Sequence, residues 1–168
     1  MRNVGRWAAL CLFIGGFPLQ AQEVGSSFLQ GRTRFSVTGG YASSNNKSYG
    51  VLGLGAGYYL LDGLEAGLDG EAWLGSKPHI YTVSPETRYI MTQFETIRPY
   101  LGGFYKRTFY DTLPNQDSVG GRAGLISTLS PHAYLTAGAV YEQYLNCDTA
   151  IYTTCSQVYP EIGISFSY

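Results

Sequence analysis

The stretch Leu-Glu-Ala-Gly-Leu-Asp-Gly-Glu-Ala-Trp-Leu, residues 64–74, alternates between two kinds of side chain. One set contains Leu64, Ala66, Leu68, Ala72 and Leu74, and the other contains Glu65, Asp69, Glu71 and Trp73. Successive side chains of a β-strand point to opposite faces of the sheet. The stretch therefore predicts a strand that has one apolar face and one charged face.

Seven further stretches alternate in the same way, which predicts an all-β chain of eight antiparallel strands. The eight predicted strands cover residues 31–42, 48–60, 64–74, 80–91, 97–108, 118–129, 133–145 and 158–168. Pro85 lies inside the fourth strand, where we expect a bulge or a local break because proline donates no ladder hydrogen bond. Asp62-Gly63 is a strong signal for a tight turn between the second and third strands.

The predicted connections tend to alternate in length along the chain. Those around Asp62, Phe94 and Pro131 are expected to be short, and so is the segment 75–79. The polar segments 43–47, 110–117 and 146–157 are expected to be mostly longer. An even number of strands with short turns at one end and longer loops at the other is typical of an up-and-down outer-membrane barrel.

The composition excludes several other classes of protein. The 168 residues include 22 glycines and 15 tyrosines, and only 14% are charged. Such a chain is too aromatic and too poor in charge to be disordered, and glycine and tyrosine do not favour a helical bundle. The formal net charge of −1 provides no basic surface for nucleic acid.

The N-terminus is predicted to be a signal peptide. Arg2 and Arg6 precede an apolar run over residues 7–19, and Ala21 lies before a polar boundary. This pattern is typical of a secretory signal with cleavage after Ala21. Residues 1–21 are therefore expected to be removed, which leaves residues 22–168 as one barrel domain. Two cysteines remain in an exported chain, so we expect a disulfide between Cys147 and Cys155.

Alternation alone does not say which face of the strands lies inside the barrel. The charged face contains Arg34, Glu65, Asp69, Glu71, Glu86, Arg88, Arg98, Lys106, Arg122, Glu142 and Glu161. Five basic and six acidic groups would suit a narrow interior where charges pair, although a solvated face fits them equally. Glycines on the same face favour the interior of a tight barrel. A soluble secreted lipocalin-like barrel, with its apolar face inside, is the topological alternative.

The last eight residues, Glu-Ile-Gly-Ile-Ser-Phe-Ser-Tyr, carry a family resemblance. Glu161, Gly163, Phe166 and Tyr168 match the terminal assembly signal of bacterial outer-membrane barrels, and Pro99-Tyr100-Leu101-Gly102 resembles a strand start in small barrels of that family. The resemblance implies a monomer in the outer membrane of a Gram-negative bacterium. It also implies contact with outer-membrane lipid and lipopolysaccharide, and with the barrel-assembly machinery during biogenesis. Pro85 and Pro160 depart from the family pattern.

An eight-stranded barrel encloses a space that side chains nearly fill, so we expect a closed or nearly closed interior and a structural or surface-interaction role. We expect no catalytic residue, no metal site and no cofactor. A loop stapled by Cys147 and Cys155 would present Ile151 and Tyr152 to a partner.

Two other functions stay open. A narrow ion path would run through pairs formed by Arg34, Arg88, Arg98 and Arg122 with Glu71, Glu86 and Glu142. A lipid A-modifying enzyme would need a histidine beside a nucleophile and an acidic residue. The candidates for that site are His79, with Ser76, Tyr81, Ser84 and Glu86 nearby in sequence, and His132 in a short turn.

Overall fold

The computed structural model describes residues 26–168, apart from 45–46, 76–78, 112–113, 146 and 148–154. A short 3₁₀ turn, Ser26–Phe28, precedes the strands β1 Thr33–Ser44, β2 Lys47–Leu61, β3 Leu64–Leu74, β4 Ile80–Ile90, β5 Ile97–Tyr110, β6 Gln116–Ser130, β7 Ala133–Tyr144 and β8 Ser156–Ser167. Each strand pairs antiparallel with the next, and β8 pairs with β1 to close the barrel. The predicted eight-stranded barrel is confirmed. The predicted signal peptide, residues 1–21, lies outside the described residues.

Among the described residues, no helix is long and apolar enough to cross a membrane. The barrel has two different ends. The turn end carries the connections at residues 62–63, 91–96 and 131–132, and the loop end carries those at 75–79, 111–115 and 145–155.

Some of the predicted boundaries need correction. β1 begins two residues late because a turn closes before it, in which the Arg32 N–H donates to the Leu29 carbonyl at 3.2 Å and Gly31 has a φ of 87°. β1 and β2 extend further than expected, so the supposedly long connection there shrinks to residues 45–46. The connection around Phe94, expected to be short, covers residues 91–96.

Pro85 causes no bulge in β4. Its neighbour on one side is Leu68 of β3, in an uninterrupted register. Pairing with β5 skips Ser84 and Pro85, yet Val83 pairs with Arg107 and Glu86 pairs with Phe104 in the same register. The ladder is therefore interrupted locally on one side only, because the proline lacks a donor and its side chain points outward.

The apolar faces of the strands point outward. Leu54 is 63% exposed and Leu68 is 54% exposed, whereas Arg34 is only 3% exposed. This orientation matches a barrel whose outside meets lipid. The soluble lipocalin-like alternative requires the apolar face to be inside and is therefore wrong.

Glycines on the inner face of the strands leave space in the barrel interior for the inward-pointing side chains. A Cβ atom added to Gly102 would lie 2.7 Å from the Thr87 carbonyl oxygen, and one added to Gly57 would lie 2.7 Å from the Glu65 carboxyl carbon. Real Cβ atoms do not approach other atoms so closely. The glycines on the charged face thus provide the space that the interior ion pairs occupy.

Candidate functional site

Seven charged side chains from five strands meet in the middle of the barrel, and we call them the central ion cluster. They are Arg34, Glu65, Asp69, Glu86, Arg88, Arg122 and Glu161. Strands β1, β3, β4, β6 and β8 supply them. Three guanidinium groups face four carboxylates, so the cluster holds nearly balanced charge in a space shielded from solvent.

Glu86 links the three arginines of the cluster. Its Oε1 accepts from Arg34 Nη2 at 2.7 Å and from Arg88 Nη2 at 3.1 Å, and its Oε2 lies 2.9 Å from Arg122 Nη1. Arg34 Nε also donates to Glu65 Oε1 at 2.5 Å. Arg122 Nη1 lies 3.1 Å from Glu161 Oε2 of β8, two strands away around the barrel. Ion pairs therefore cross the lumen in several directions and occupy its centre.

Lys106 and Glu142 form a second group nearer the loop end. Lys106 Nζ lies 2.9 Å from Glu142 Oε2 and donates to the Tyr159 hydroxyl at 2.9 Å. The same carboxylate accepts from Ser118 Oγ at 2.6 Å and from the Tyr159 hydroxyl at 2.9 Å. The charged pair is thus held by neutral donors as well, which favours one fixed arrangement of the group.

Glu71 and Arg98, which the sequence suggested for arginine–glutamate pairs, contact neutral groups in the interior. The Trp73 indole N–H and the Thr82 hydroxyl each donate to Glu71 Oε2 at 3.4 Å. Arg98 Nη1 donates to Thr128 Oγ1 at 3.1 Å, and its guanidinium lies 5.1 Å from the centre of the Phe28 ring. Neutral hydrogen-bonding and aromatic groups therefore help to hold both of these charges.

The residues before β1 close the turn end, and we call Ser26–Phe28 the N-terminal plug. The Ser27 hydroxyl donates to the Pro131 carbonyl at 2.9 Å, and Ser167 Oγ donates to the Ser27 carbonyl at 2.7 Å. The Gly63 N–H donates to the Phe28 carbonyl at 2.8 Å. Three hydrogen bonds thus hold the plug across the turn end of the barrel.

Phe28 inserts its ring into the lumen and is 2% exposed. Its ring centre lies 4.8 Å from that of Tyr134 and 5.9 Å from that of Tyr59. Ile90, Tyr100 and Ile126 complete the same apolar cluster. The plug could not be predicted from the sequence, because Ser26–Phe28 is too short to show a period. The signal available was an apolar residue, Phe28, shortly before the first strand.

Replacing Phe28 with alanine is expected to lower the free energy of unfolding by about 2–3 kcal/mol. This is less than the ~3–5 kcal/mol usual for a buried phenylalanine, because a short plug can detach and relieve the cavity. Urea unfolding in lipid vesicles, followed by tryptophan fluorescence, measures the change. Leu29→Ala is the control, since Leu29 is exposed. Equal losses in the two variants would contradict a docked plug.

A disulfide joins Cys147 and Cys155 at the loop end. Residues 148–154, including the proposed contact residues Ile151 and Tyr152, lie outside the described part of the chain. The predicted disulfide is therefore confirmed, and the binding of a partner by the segment between the two cysteines stays a prediction.

Among the described residues, the histidines do not form the arrangement that an acyl-transfer enzyme needs. β4 is extended from Ile80, and each strand residue adds about 3.3 Å. Glu86 therefore lies roughly 20 Å along the strand from His79. Glu86 is also held by arginines. His132 lies at the turn end, where its Nδ1 is 3.1 Å from the Ser167 carbonyl oxygen and its ring stacks on Tyr168. Ser76 lies outside the described residues.

The four residues of the proposed assembly signal lie on two faces of β8. Glu161 and Gly163 point inward, and Glu161 also accepts a hydrogen bond from the Tyr100 hydroxyl at 3.1 Å. Phe166 and Tyr168 are exposed on the outside near the turn end. Tyr168 exchanges two backbone hydrogen bonds with Thr33, each 3.0 Å long. Glu161 thus belongs to the central ion cluster as well as to the terminal motif.

Two solved structures share this architecture. The N-terminal β-barrel domain of Pseudomonas aeruginosa OprF matches with a TM-score of 0.62 and 16% identity, covering 83% of this chain and 98% of that one. Neisserial surface protein A matches with a TM-score of 0.54 and 17% identity, covering 81% and 94%. No protein-family model and no curated protein matches the sequence. The chain therefore has the fold of the small eight-stranded outer-membrane β-barrels.

Proposed function

We propose that this protein is an integral outer-membrane barrel with a closed interior and a structural or surface-interaction role. The observation that carries the proposal is the filled lumen. Ion pairs around Glu86 occupy its centre, and Phe28 seals the turn end. Conduction would require these buried pairs to separate, which costs several kcal/mol for each uncompensated charge. A structural role needs no such movement.

The proposed location is the outer membrane of a Gram-negative bacterium. The outward apolar belt and the terminal motif ending at Tyr168 support it, as does the fold shared with OprF and neisserial surface protein A. The partners that follow are outer-membrane lipid, lipopolysaccharide and, during biogenesis, the barrel-assembly machinery. We propose that the protein acts as a monomer without catalytic activity or a cofactor.

Cell fractionation and bilayer recording test the proposal together. The protein is expected in the outer-membrane fraction, and its mobility on a gel is expected to change when the sample is boiled. Purified barrel inserted in a planar lipid bilayer is expected to give no ionic current above that of the lipid. Recovery only from the soluble periplasm would contradict the membrane location, and steady single-channel currents would contradict the closed interior.

Two narrower experiments separate the possible roles. Deleting residues 148–154 is expected to leave folding unchanged and to reduce cell adhesion if the stapled loop is the contact surface. Unchanged adhesion would favour a purely structural role. For the enzyme alternative, lipid A acyl release is expected to be the same for the original protein and for His79→Ala. A loss of release in the variant would contradict the absence of catalysis.

A further inference from the structure

A small cavity lies inside the barrel between the N-terminal plug and the central ion cluster. The centre of a water molecule can occupy about 10 Å³ of it. Phe28 of the plug lines the cavity, as do Arg34 and Arg88 of the cluster, and Thr136 and Ser165 complete its polar wall. Phe28 is 2% exposed and the other four residues are 3–5% exposed. Bulk solvent therefore has little access to this part of the lumen.

The wall of this cavity is partly polar. Arg34 and Arg88 bring guanidinium groups to it, and Thr136 and Ser165 bring hydroxyl groups. Ser165 of β8 is paired with Tyr134 of β7, which lies two residues before Thr136, so both hydroxyl-bearing residues face inward on neighbouring strands. Cavities that exclude water have apolar walls, whereas polar cavities of sufficient size hold ordered water. The composition of this wall therefore favours a hydrated site.

Arg88 brings a donor without a partner to the cavity. Its Nε–H makes no hydrogen bond to any described residue, although its Nη2 donates to Glu86 Oε1 at 3.1 Å. The Tyr100 ring covers one face of the guanidinium group, with its centre 5.2 Å from Cζ. Arg34 differs, because its Nε donates to Glu65 Oε1. A buried charged donor that lacks a partner is strongly unfavourable, so the Arg88 Nε–H requires an acceptor.

We propose that this cavity binds one ordered water molecule, which accepts a hydrogen bond from Arg88 Nε and donates to the hydroxyl oxygens of Thr136 and Ser165. These three contacts match the number that a buried water usually makes, and the space suffices for one water. Two guanidinium groups in the wall repel a cation. An anion such as phosphate is larger than the space.

The water site extends the account of the closed interior. One held water completes the contacts of Arg88 on the side of the plug, while the ion pairs around Glu86 still occupy the centre of the lumen. The site therefore adds a polar contact without a path for ions. It depends on the packing behind Phe28 and not on the role that the barrel has at the cell surface.

NMR of the purified barrel in lipid nanodiscs tests the site through Overhauser contacts between water and the arginine Nε–H groups. Arg88 is expected to show a contact with a long-lived water, whereas Arg34 is expected to show none because its Nε–H is already paired. Arg107, whose side chain is 49% exposed, is the positive control for exchange with bulk water. A signal at Arg107 but none at Arg88 would overturn the proposal. Equal contacts at Arg88 and Arg34 would also overturn it, because the lumen would then be hydrated throughout.

Variants without the two hydroxyl groups test which residues hold the water. Thr136→Val combined with Ser165→Ala is expected to abolish the water contact of Arg88, because the water loses both acceptors. Thr108→Val is the matched control, since Thr108 is a buried threonine, 7% exposed, that does not line the cavity. This control is expected to keep the contact. Persistence of the contact in the double variant would overturn the proposal. Heat-modifiable mobility checks folding, and if the double variant does not fold, the comparison of Arg88 with Arg34 in the original protein decides.

Discussion

Replacing Arg34 with methionine is expected to lower the free energy of unfolding by about 3–5 kcal/mol, the usual cost of breaking a buried ion pair from one side. Arg34 contacts Glu65 at 2.5 Å and Glu86 at 2.7 Å. Its loss leaves four carboxylates facing two guanidinium groups. Glu65, with its side chain 1% exposed, loses the only basic partner with which it forms an ion pair among the described residues. Urea unfolding in lipid vesicles, followed by fluorescence of Trp73, measures the effect.

Two further variants show whether the loss comes from the buried charge. Arg34→Met combined with Glu65→Met removes the uncompensated carboxylate and is expected to recover most of the stability. Arg107→Met makes the same basic-to-methionine change at an exposed pair, where Arg107 Nε lies 3.8 Å from Asp117 Oδ1. That change is expected to cost at most about 1 kcal/mol. Equal losses for Arg34→Met and Arg107→Met would contradict a central ion cluster that stabilises the barrel.

The residues that share one face of a strand could be predicted from the sequence, because neighbouring side chains alternate between the two faces. Leu68 and Asp69 differ by one position, and that difference alone places one outside and the other inside the barrel. The choice between inside and outside needed the glycines and the C-terminal motif. A Cβ at Gly124 would lie 2.5 Å from the Gly138 Cα, so the face that carries these glycines is the one in the crowded interior of the barrel.

The partners of the charges could not be predicted. Arg34 of β1 pairs with residues of β3 and β4, and Arg122 of β6 reaches Glu161 of β8. These contacts depend on the stagger of the strands around the barrel and on the reach of long side chains across the lumen. Neither quantity appears in the pattern of one strand. Arg98 illustrates this, because its contacts with Thr128 and the Phe28 ring do not follow from the pattern of β5.

The plug escaped prediction for a related reason. Phe28 lies in a three-residue turn whose position depends on hydrogen bonds to distant residues such as Pro131 and Gly63. Pro160 departs from the family pattern, yet it lies within β8 and opposite Ala139 of β7.

Replacing Gly124 with alanine is expected to prevent most of the protein from reaching the folded barrel. Gly124 of β6 faces inward opposite Gly138 of β7. A Cβ here would lie 2.5 Å from the Gly138 Cα and 2.8 Å from a ring carbon of Tyr100. Backbone atoms of a closed barrel cannot move apart without breaking ladder hydrogen bonds. The loss in free energy of unfolding is therefore expected to be at or above ~3 kcal/mol, the upper end of the usual cost of overpacking. The fraction of heat-modifiable protein after refolding into lipid vesicles measures the effect.

Gly121→Ala is the matched control because Gly121 belongs to the same strand but faces outward. The nearest atom to its added Cβ would be the Gly102 carbonyl oxygen at 3.6 Å, an ordinary van der Waals distance. This variant is expected to fold to nearly the original yield, since the added methyl group projects toward lipid and a glycine-to-alanine change also restricts the unfolded chain. If Gly124→Ala folded as well as Gly121→Ala, the interior would have to be looser than the contacts of Tyr100 and Gly138 indicate, and the argument for a filled lumen would fail with it.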